Sequence, residues 1–291
     1  MKSVARVHVP ATSGNMGPGF DTLGVALRLY NCVEVRLHDQ RCAKDAPSSP
    51  MAAAAARAFF RKAAVHERGF SARIRGDVPA SRGLGSSVTV RLGVAAGLNH
   101  LLGSPLGRAE LLDLVSDLEG HPDNAAPAVF GGIAAAGVVD GRVMHRTFKA
   151  PPSLRFVAAI PDFEMETRRA RKILPASAPL ADCVHNLSRV ALMIALASQG
   201  DFRGFGRLLE DRLHQPYRAK LVPQLYPALD AARAEGAYGG WLSGSGSTIM
   251  AITRDRPREV GRAMARVFAK SRARCRVLIL AADPKGMRIE G

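Results

Sequence analysis

The 291-residue chain is 47% hydrophobic and carries 41 Lys and Arg against 25 Asp and Glu, a formal net charge of +16. That length and apolar content supply two cores or one large one and exclude a disordered chain. No apolar run approaches the roughly 18 residues that span a bilayer, and the start MKSVARVHVPAT lacks the apolar stretch of a secretory signal, so a cytoplasmic protein with no membrane partner is expected.

Cys32, Cys42, Cys183 and Cys275 have no CxxC spacing, which argues against a zinc site or a disulfide framework and for free thiols. The basic excess raises the question of a nucleic-acid partner, but its distribution argues against one. The densest stretch, 254–276, is broken by Asp255 and Glu259, and Val260, Met264, Val267 and Phe268 recur at helical spacing. The arginines therefore fall on the opposite, solvated face. A positive field of this kind steers small anions such as nucleotides toward a cleft.

In chain order, Ala5 to Val9 alternates apolar and polar residues as a half-buried strand does, and ends at Pro10. A loop from Thr12 to Asp21 holds three glycines and a proline and offers Asn15 and Asp21 as polar groups. Leu27 to Leu37 reads as a strand, Pro50 to Ala64 as a helix, and Ser71 to Asp77 as a strand entering a glycine-rich turn. Val88 to Leu102 is helical and stopped by Gly103. Leu106 to Glu119 is a further helix, followed by EGHPDN at 119–124 and a glycine-rich strand region from Phe130 to Val139. Lys149-Ala150-Pro151-Pro152 marks a boundary between units 1–150 and 151–291. Beyond it come a strand from Leu154 to Ile160, a helix from Asp182 to Ala197 with Val184, Leu187, Ala191 and Ile194 on one face, and a helix from Pro223 to Glu235. The chain ends strand, helix, strand over Ser247 to Thr253, Pro257 to Ala269 and Arg276 to Ala281.

The turn from Arg82 to Val90 is the sharpest chemical signal. Glycines let a backbone approach an anion closely, and free amides at a helix start favour negative charge. The same letters also describe a serine-capped helix after a flexible loop. The turn has no Lys before its hydroxyls and no third glycine, which excludes a Walker A loop and a dinucleotide fingerprint. Phosphates bound there need another counter-charge, such as Mg²⁺ held by a hydroxyl and a carboxylate. Ser87 and Glu119 are the candidates, with Ser86 expected to cap the helix.

Three blocks in order, PATSGNMGPGFDTLGVAL at 10–27, GLGSS at 83–87 and LSGSGSTIMAI at 242–252, resemble the GHMP small-molecule kinases. EGHPDNAAPAVFGG at 119–132, TRRARKILP at 167–175 and DRLHQPYR at 211–218 are similar to the homoserine kinase branch of that family. The resemblance implies a mixed α/β (α+β) fold of two domains. The N-terminal, ATP-binding one is ribosomal-protein-S5-like with a βαβ crossover, the C-terminal one is ferredoxin-like, and the active site lies between them. It further implies ATP-dependent phosphorylation of the L-homoserine hydroxyl, a step toward threonine, with ATP and Mg²⁺ bound. A homodimer is considered as a further assembly.

By resemblance, ATP falls to Pro79, Arg82, Gly83, Leu84, Gly85, Ser86, Ser87, Val88 and Thr89, with Arg82 either at phosphate or in solvent. The metal falls to Ser87 and Glu119. Arg171 and Arg218 match the arginines for the substrate carboxylate, with His121 near, because planar guanidinium grips a carboxylate through two hydrogen bonds. Asn15 and Asp21 match the pair that holds the hydroxyl and ammonium ends, and Thr167 and Gly244 complete the substrate set. Asp123 and Asn124 either hold their turn together or take part directly. Asp21, Asn15, Ser87 and Glu119 are the catalytic candidates. Asp21 is read as a binder more than a base, because an aspartate paired with an ammonium stays ionised.

Overall fold

The computed structural model describes residues 4–38 and 49–290, so Cys42 lies outside the described residues. Two antiparallel sheets organise the chain. The first is built from β1 (Val4–Gly14), β2 (Leu23–His38), β3 (Gly69–Gly76), β4 (Ile133–Val139), β5 (Arg142–Phe148) and β10 (Arg288–Glu290). Its order is β10-β1-β2-β4-β5, with β3 also paired to β2. The second has the order β7-β8-β6-β9, from β6 (Arg155–Pro161), β7 (Gly239–Leu242), β8 (Ile249–Thr253) and β9 (Cys275–Leu280).

Helices α1 (Pro50–Lys62), α2 (Ser86–Leu101), α3 (Arg108–Glu119) and α4 (Ala125–Phe130) cover one face of the first sheet. Their ends follow local chemistry. Ser49 accepts a hydrogen bond from Ala52 N at 3.2 Å with Pro50 in the first turn of α1. Glu110 reaches back to Gly107 N at 2.7 Å to start α3, and Gly120, at φ 83°, ends it. The apolar face of α2, with Val88, Leu92, Ala95 and Ala96, packs on Val7, Val9, Val33 and Val35. Each such fully buried side chain is worth about 1.5–3 kcal/mol when it is as large as Val or Leu.

A second core joins the two sheets: Ala11, Met16, Leu23, Val25 and Ile133 of the first half meet Phe156, Trp241, Met250 and Ile252 of the second. A third lies between the second sheet and helices α9 (Leu225–Ala234) and α10 (Pro257–Lys270). In α10, Val260, Met264 and Phe268 are buried and the arginines face outward, as the spacing predicts.

The structure departs from the sequence reading in four places. β1 does not stop at Pro10 but runs on to Gly14, and the register with β2 shifts between Pro10 and Ala11. Proline lacks an amide donor and is tolerated at such a bulge. The segment from Phe130 is the end of α4, and the strand begins only at Ile133, after Gly131 and Gly132 take positive φ. The chain from Ala281 returns to the first half, where Arg28 N bonds Ala281 O, Gly132 N bonds Asp283 O and β10 pairs with β1, so the first sheet is completed from beyond residue 150. Finally, of the α6 (Leu180–Ser198) face expected to pack, only Ile194 lies against the core; Val184, Leu187 and Ala191 are exposed, and His185, Asn186, Met193 and Ala197 are buried instead. Short helices α5 (Thr167–Lys172), α7 (Phe202–Arg207) and α8 (Gln215–Arg218) fill connections with too few turns to show a period.

Candidate active site

The three glycine-rich blocks are stitched together where the sheets meet. Thr12 N donates to Leu84 O at 3.2 Å, Gly244 N to Gly14 O at 3.2 Å and Thr248 N to Arg82 O at 3.1 Å. Ser243 Oγ donates to Gly83 O at 2.6 Å and lies 2.7 Å from Ser13 Oγ, which accepts from Trp241 Nε1 at 2.9 Å. This contact leaves no room for side chains. A Cβ on Gly83 would sit 2.1 Å from Ser243 O and one on Gly85 would sit 2.0 Å from Thr12 Oγ1, and both residues have φ near +70°, at 76° and 69°. Gly85 itself is the N-cap of α2 with no side-chain cap, so Ser86 begins the helix and does not cap it. The first amides of a 16-residue helix thus open, uncapped, onto a cleft of about 270 Å³.

Beside this cradle, Ser87 Oγ donates to Glu119 Oε2 at 2.9 Å, joining the start of α2 to the end of α3. The other oxygen, Glu119 Oε1, accepts from Arg91 Nη1 at 2.7 Å, one turn further along α2. Both Ser87 and Glu119 line the cleft. Their oxygens have the separation of neighbouring ligands of an octahedral ion at 2.0–2.1 Å, about 2.9 Å, so the pair fits Mg²⁺.

At the other end of the cleft, Asn15 (φ 63°) and Asp21 (φ 54°) hold left-handed backbone that Asn and Asp adopt more readily than most residues. Asn15 Oδ1 accepts from Asp21 N at 2.9 Å and Asn15 Nδ2 donates to Gly244 O at 2.8 Å. Asp21 is gripped bidentately by Arg171, Nη1 to Oδ2 at 3.0 Å and Nη2 to Oδ1 at 2.7 Å. Arg218, 2% exposed, donates to Gly244 O at 3.0 Å and Ala170 O at 3.3 Å. Both guanidiniums stand over the Phe20 ring, at 5.5 and 5.2 Å from its centroid. Burial, then the charge of Arg171, pulls the Arg218 pKa down to about 10, which still leaves it cationic at neutral pH. Buried His214 donates Nε2–H to Gly17 O at 2.9 Å and receives Arg218 Nη1 at Nδ1 (3.3 Å), the pattern of a neutral ring, and burial lowers its pKa.

His121 Nδ1 is bonded to Asp123 Oδ1 and lies 4.0 Å from Asp21 Oδ1. Burial acts against charge on His121, but the hydrogen bond and charge of Asp123, then Asp21, outweigh it and raise the pKa. Asp123 is fully buried, and its Oδ2 also accepts from Asn15 N at 3.0 Å. Asn124 Oδ1 accepts from Thr12 Oγ1 at 2.8 Å. Of the two readings open for these residues, the hydrogen bonds of Asp123 support a third: it fastens Asn15 and His121 to each other.

Asn15, Asp21, Gly83, Gly85, Ser86, Ser87, Val88, Glu119, His121, Thr167, Arg171, Arg218 and Gly244 all line the one cleft. Pro79, Arg82, Leu84 and Thr89 do not. Arg82 turns to the second sheet, donating to Pro161 O at 3.1 Å and Asp162 O at 2.8 Å. Leu84 is buried, and Thr89 bonds Ser86 O and Asn31 inside the fold. Asn124 lines the cleft too, as does Ser245 of the third glycine-rich block, and Met51, Ala80, Ser81, Met165 and Glu166 line it with no sequence signal of their own. Cys32, Cys183 and Cys275 are free thiols.

Family models for the GHMP kinases N terminal domain and the GHMP kinases C terminal match residues 50–132 and 192–270. Homoserine kinase of Moorella thermoacetica is 42% identical over 94% of this chain and 96% of its own length. That of Desulfitobacterium hafniense is 36% identical over 98% and 100%. The crystal structure of homoserine kinase from Cytophaga hutchinsonii superposes with TM-score 0.89 at 26% identity, covering 100% of this chain and 98% of that one. A mevalonate diphosphate decarboxylase from Staphylococcus aureus, at TM-score 0.74 and 12% identity over 100% and 99%, shares the fold alone. The chain belongs to the GHMP kinase family, on its homoserine kinase branch.

Proposed function

We propose that the protein transfers the γ-phosphoryl group of ATP to the side-chain hydroxyl of L-homoserine, giving O-phospho-L-homoserine. The observation that carries this reading is the Asp21–Arg171 pair in the same cleft as the uncapped start of α2. An amino acid presents an ammonium and a carboxylate together, and it can exchange with such a pair by giving each partner a new counter-ion. In this reading Asp21 takes the ammonium, Arg171 and Arg218 take the carboxylate, and Asn15 orients the hydroxyl. The backbone from Gly83 to Val88 receives the phosphates.

Ser87 and Glu119 would hold Mg²⁺, which neutralises charge on the phosphate oxygens. The substrate hydroxyl forms a bond to the γ-phosphorus as the bond to ADP breaks, and its proton leaves late, to a phosphate oxygen. Asp21 is already committed to charge pairing, so positioning and neutralisation supply the rate. The test is ADP release from MgATP with L-homoserine, mevalonate or L-serine offered separately. Release with homoserine above the others is expected, and no homoserine-dependent release would overturn the proposal.

A further inference from the structure

Three consecutive carbonyls of the glycine-rich cradle are tied to donors that stand behind it. Arg82 O accepts from Thr248 N at 3.1 Å, Gly83 O from Ser243 Oγ at 2.6 Å and Leu84 O from Thr12 N at 3.2 Å. Thr248, Ser243 and Thr12 are fully buried and none lines the cleft, whereas Gly83 and Gly85 do. A trans peptide is planar, with its N–H on the edge opposite its C=O. Holding Arg82 O and Leu84 O at the back therefore turns Gly83 N–H and Gly85 N–H the other way, and neither amide has a hydrogen-bond partner among the described residues. Two of the three ties join backbone to backbone, so they survive any change of side chain. The middle one depends on the Ser243 hydroxyl, and it falls between Gly83 and Gly85, at φ 76° and 69°, where the backbone rotates with least steric resistance.

The direction of that hydroxyl is set from further back. Ser243 has one hydroxyl proton and Gly83 O can only accept, so the proton goes to Gly83. The 2.7 Å contact between Ser243 Oγ and Ser13 Oγ is then donated by Ser13, which accepts at 2.9 Å from Trp241 Nε1, a group that can only donate. A one-way chain thus runs from Trp241 in the second sheet through Ser13 in β1 to Ser243 and the cradle, and all three side chains are fully buried. Hydrogen bonds aligned in this way polarise one another where water is excluded.

We propose that Ser243 is a positioning residue for the nucleotide: its hydroxyl, aimed by Ser13 and Trp241, holds the Gly83 carbonyl out of the cradle, so that amides and no carbonyl oxygen meet the phosphates. The proposal rests on the reading of the cradle as the phosphate site. Without the hydroxyl, the Gly83–Leu84 peptide is free to swing its oxygen toward the cleft, where it repels phosphate oxygens and disturbs the amides on either side.

The test compares the full chain with Ser243→Ala and Ser13→Ala. Calorimetry reads affinity for a non-hydrolysable ATP analogue with Mg²⁺ and, separately, for L-homoserine, and the emission of Trp241, the one tryptophan of the chain, reads the hydrogen-bond chain. Ser243→Ala is expected to bind the analogue about two- to tenfold more weakly, the scale of one net hydrogen bond. Its homoserine affinity should not change, because Ser243 N and Gly244 N keep their bonds to Thr248 O and Gly14 O. Ser13→Ala should weaken the analogue less, since Ser243 keeps its own proton, and should shift Trp241 emission to shorter wavelength. Unchanged analogue affinity in Ser243→Ala, or an equal loss for homoserine, would overturn the positioning role, and unshifted emission in Ser13→Ala would overturn the part given to Ser13 and Trp241. If Ser243→Ala does not fold, Ser13→Ala decides, and analogue binding as tight as in wild type overturns the proposal. A wild type that binds the analogue but not homoserine counts against the substrate reading alone; one that binds no nucleotide overturns the phosphate-site reading and this proposal with it.

Discussion

Replacing Arg171 with Met separates the two roles its guanidinium takes. In the free protein Arg171 and Asp21 are 39% and 29% exposed, so their pair contributes no more than about 0–1 kcal/mol to folding and the variant keeps its fold. With homoserine bound, the guanidinium's hydrogen bonds to the carboxylate are charged ones, worth about 1.5–3 kcal/mol when lost. The two effects oppose, because the variant no longer has to separate Arg171 from Asp21 before binding. The net loss is about 1–2.5 kcal/mol, or a roughly 5- to 70-fold rise in KM for L-homoserine. Initial rates of ADP release, with homoserine and ATP each varied at saturation of the other, read it directly. An unchanged KM for homoserine, or an equal rise in KM for ATP, would refute the assignment of Arg171 to the carboxylate.

Two further outcomes follow from the neighbouring contacts. Arg91→Met frees Glu119 Oε1, which Arg91 holds at 2.7 Å; the Mg²⁺ concentration for half-maximal rate should rise about 10- to 100-fold, the usual cost of losing a group that orients a ligand, while KM for homoserine stays put. His121 has a raised pKa, so the folded state holds a proton more tightly than the unfolded one. Its stabilisation is complete below the unfolded value of 6.5 and is lost as pH rises through the folded value. The Tm difference between wild type and His121→Asn should therefore shrink from about pH 5.5 to about pH 8, and a difference that grows would contradict the His121–Asp123 contact.

What could be read from the sequence was whatever depends on local backbone chemistry. The three glycine-rich blocks, the EGHPDN stretch and the arginine motifs name their residues, and 14 of those named, Asn124 among them, meet in one cleft. Arg82 defeats this reasoning because its destination, the carbonyls of Pro161 and Asp162, lies in the second half of the chain. Asp123 was ambiguous for a similar reason: its partners Asn15 and His121 sit on two different loops, and only the fold brings both to one carboxylate. The period of α6 was legible, but a period gives a face and not the side on which neighbours lie. There the packed side combines Asn186, whose amide fastens Pro18 and Asp211, with Met193, Ala197, Ile194 and Leu196 against the core.

The Asp21–Arg171 pair also carries a specificity argument. A ligand with a carboxylate but no ammonium takes Arg171 away and leaves Asp21 with only the more distant His121, 4.0 Å from Oδ1, in a partly buried cleft. An unpaired charged group costs more than the roughly 1–3 kcal/mol of a neutral one, and a site built to pair a polar group rejects the analogue that lacks it far more strongly than one that merely fits its shape. 4-Hydroxybutanoate has the hydroxyl, the chain length and the carboxylate of homoserine and lacks only the amino group. Its kcat/KM should fall at least about tenfold for each 1.4 kcal/mol of that penalty, and Asp21→Asn, which removes the stranded charge, should narrow the gap between the two substrates. Equal kcat/KM for both in the wild type would mean that Asp21 does not meet the ammonium, and its pairing with Arg171 would then be a structural clasp across the cleft.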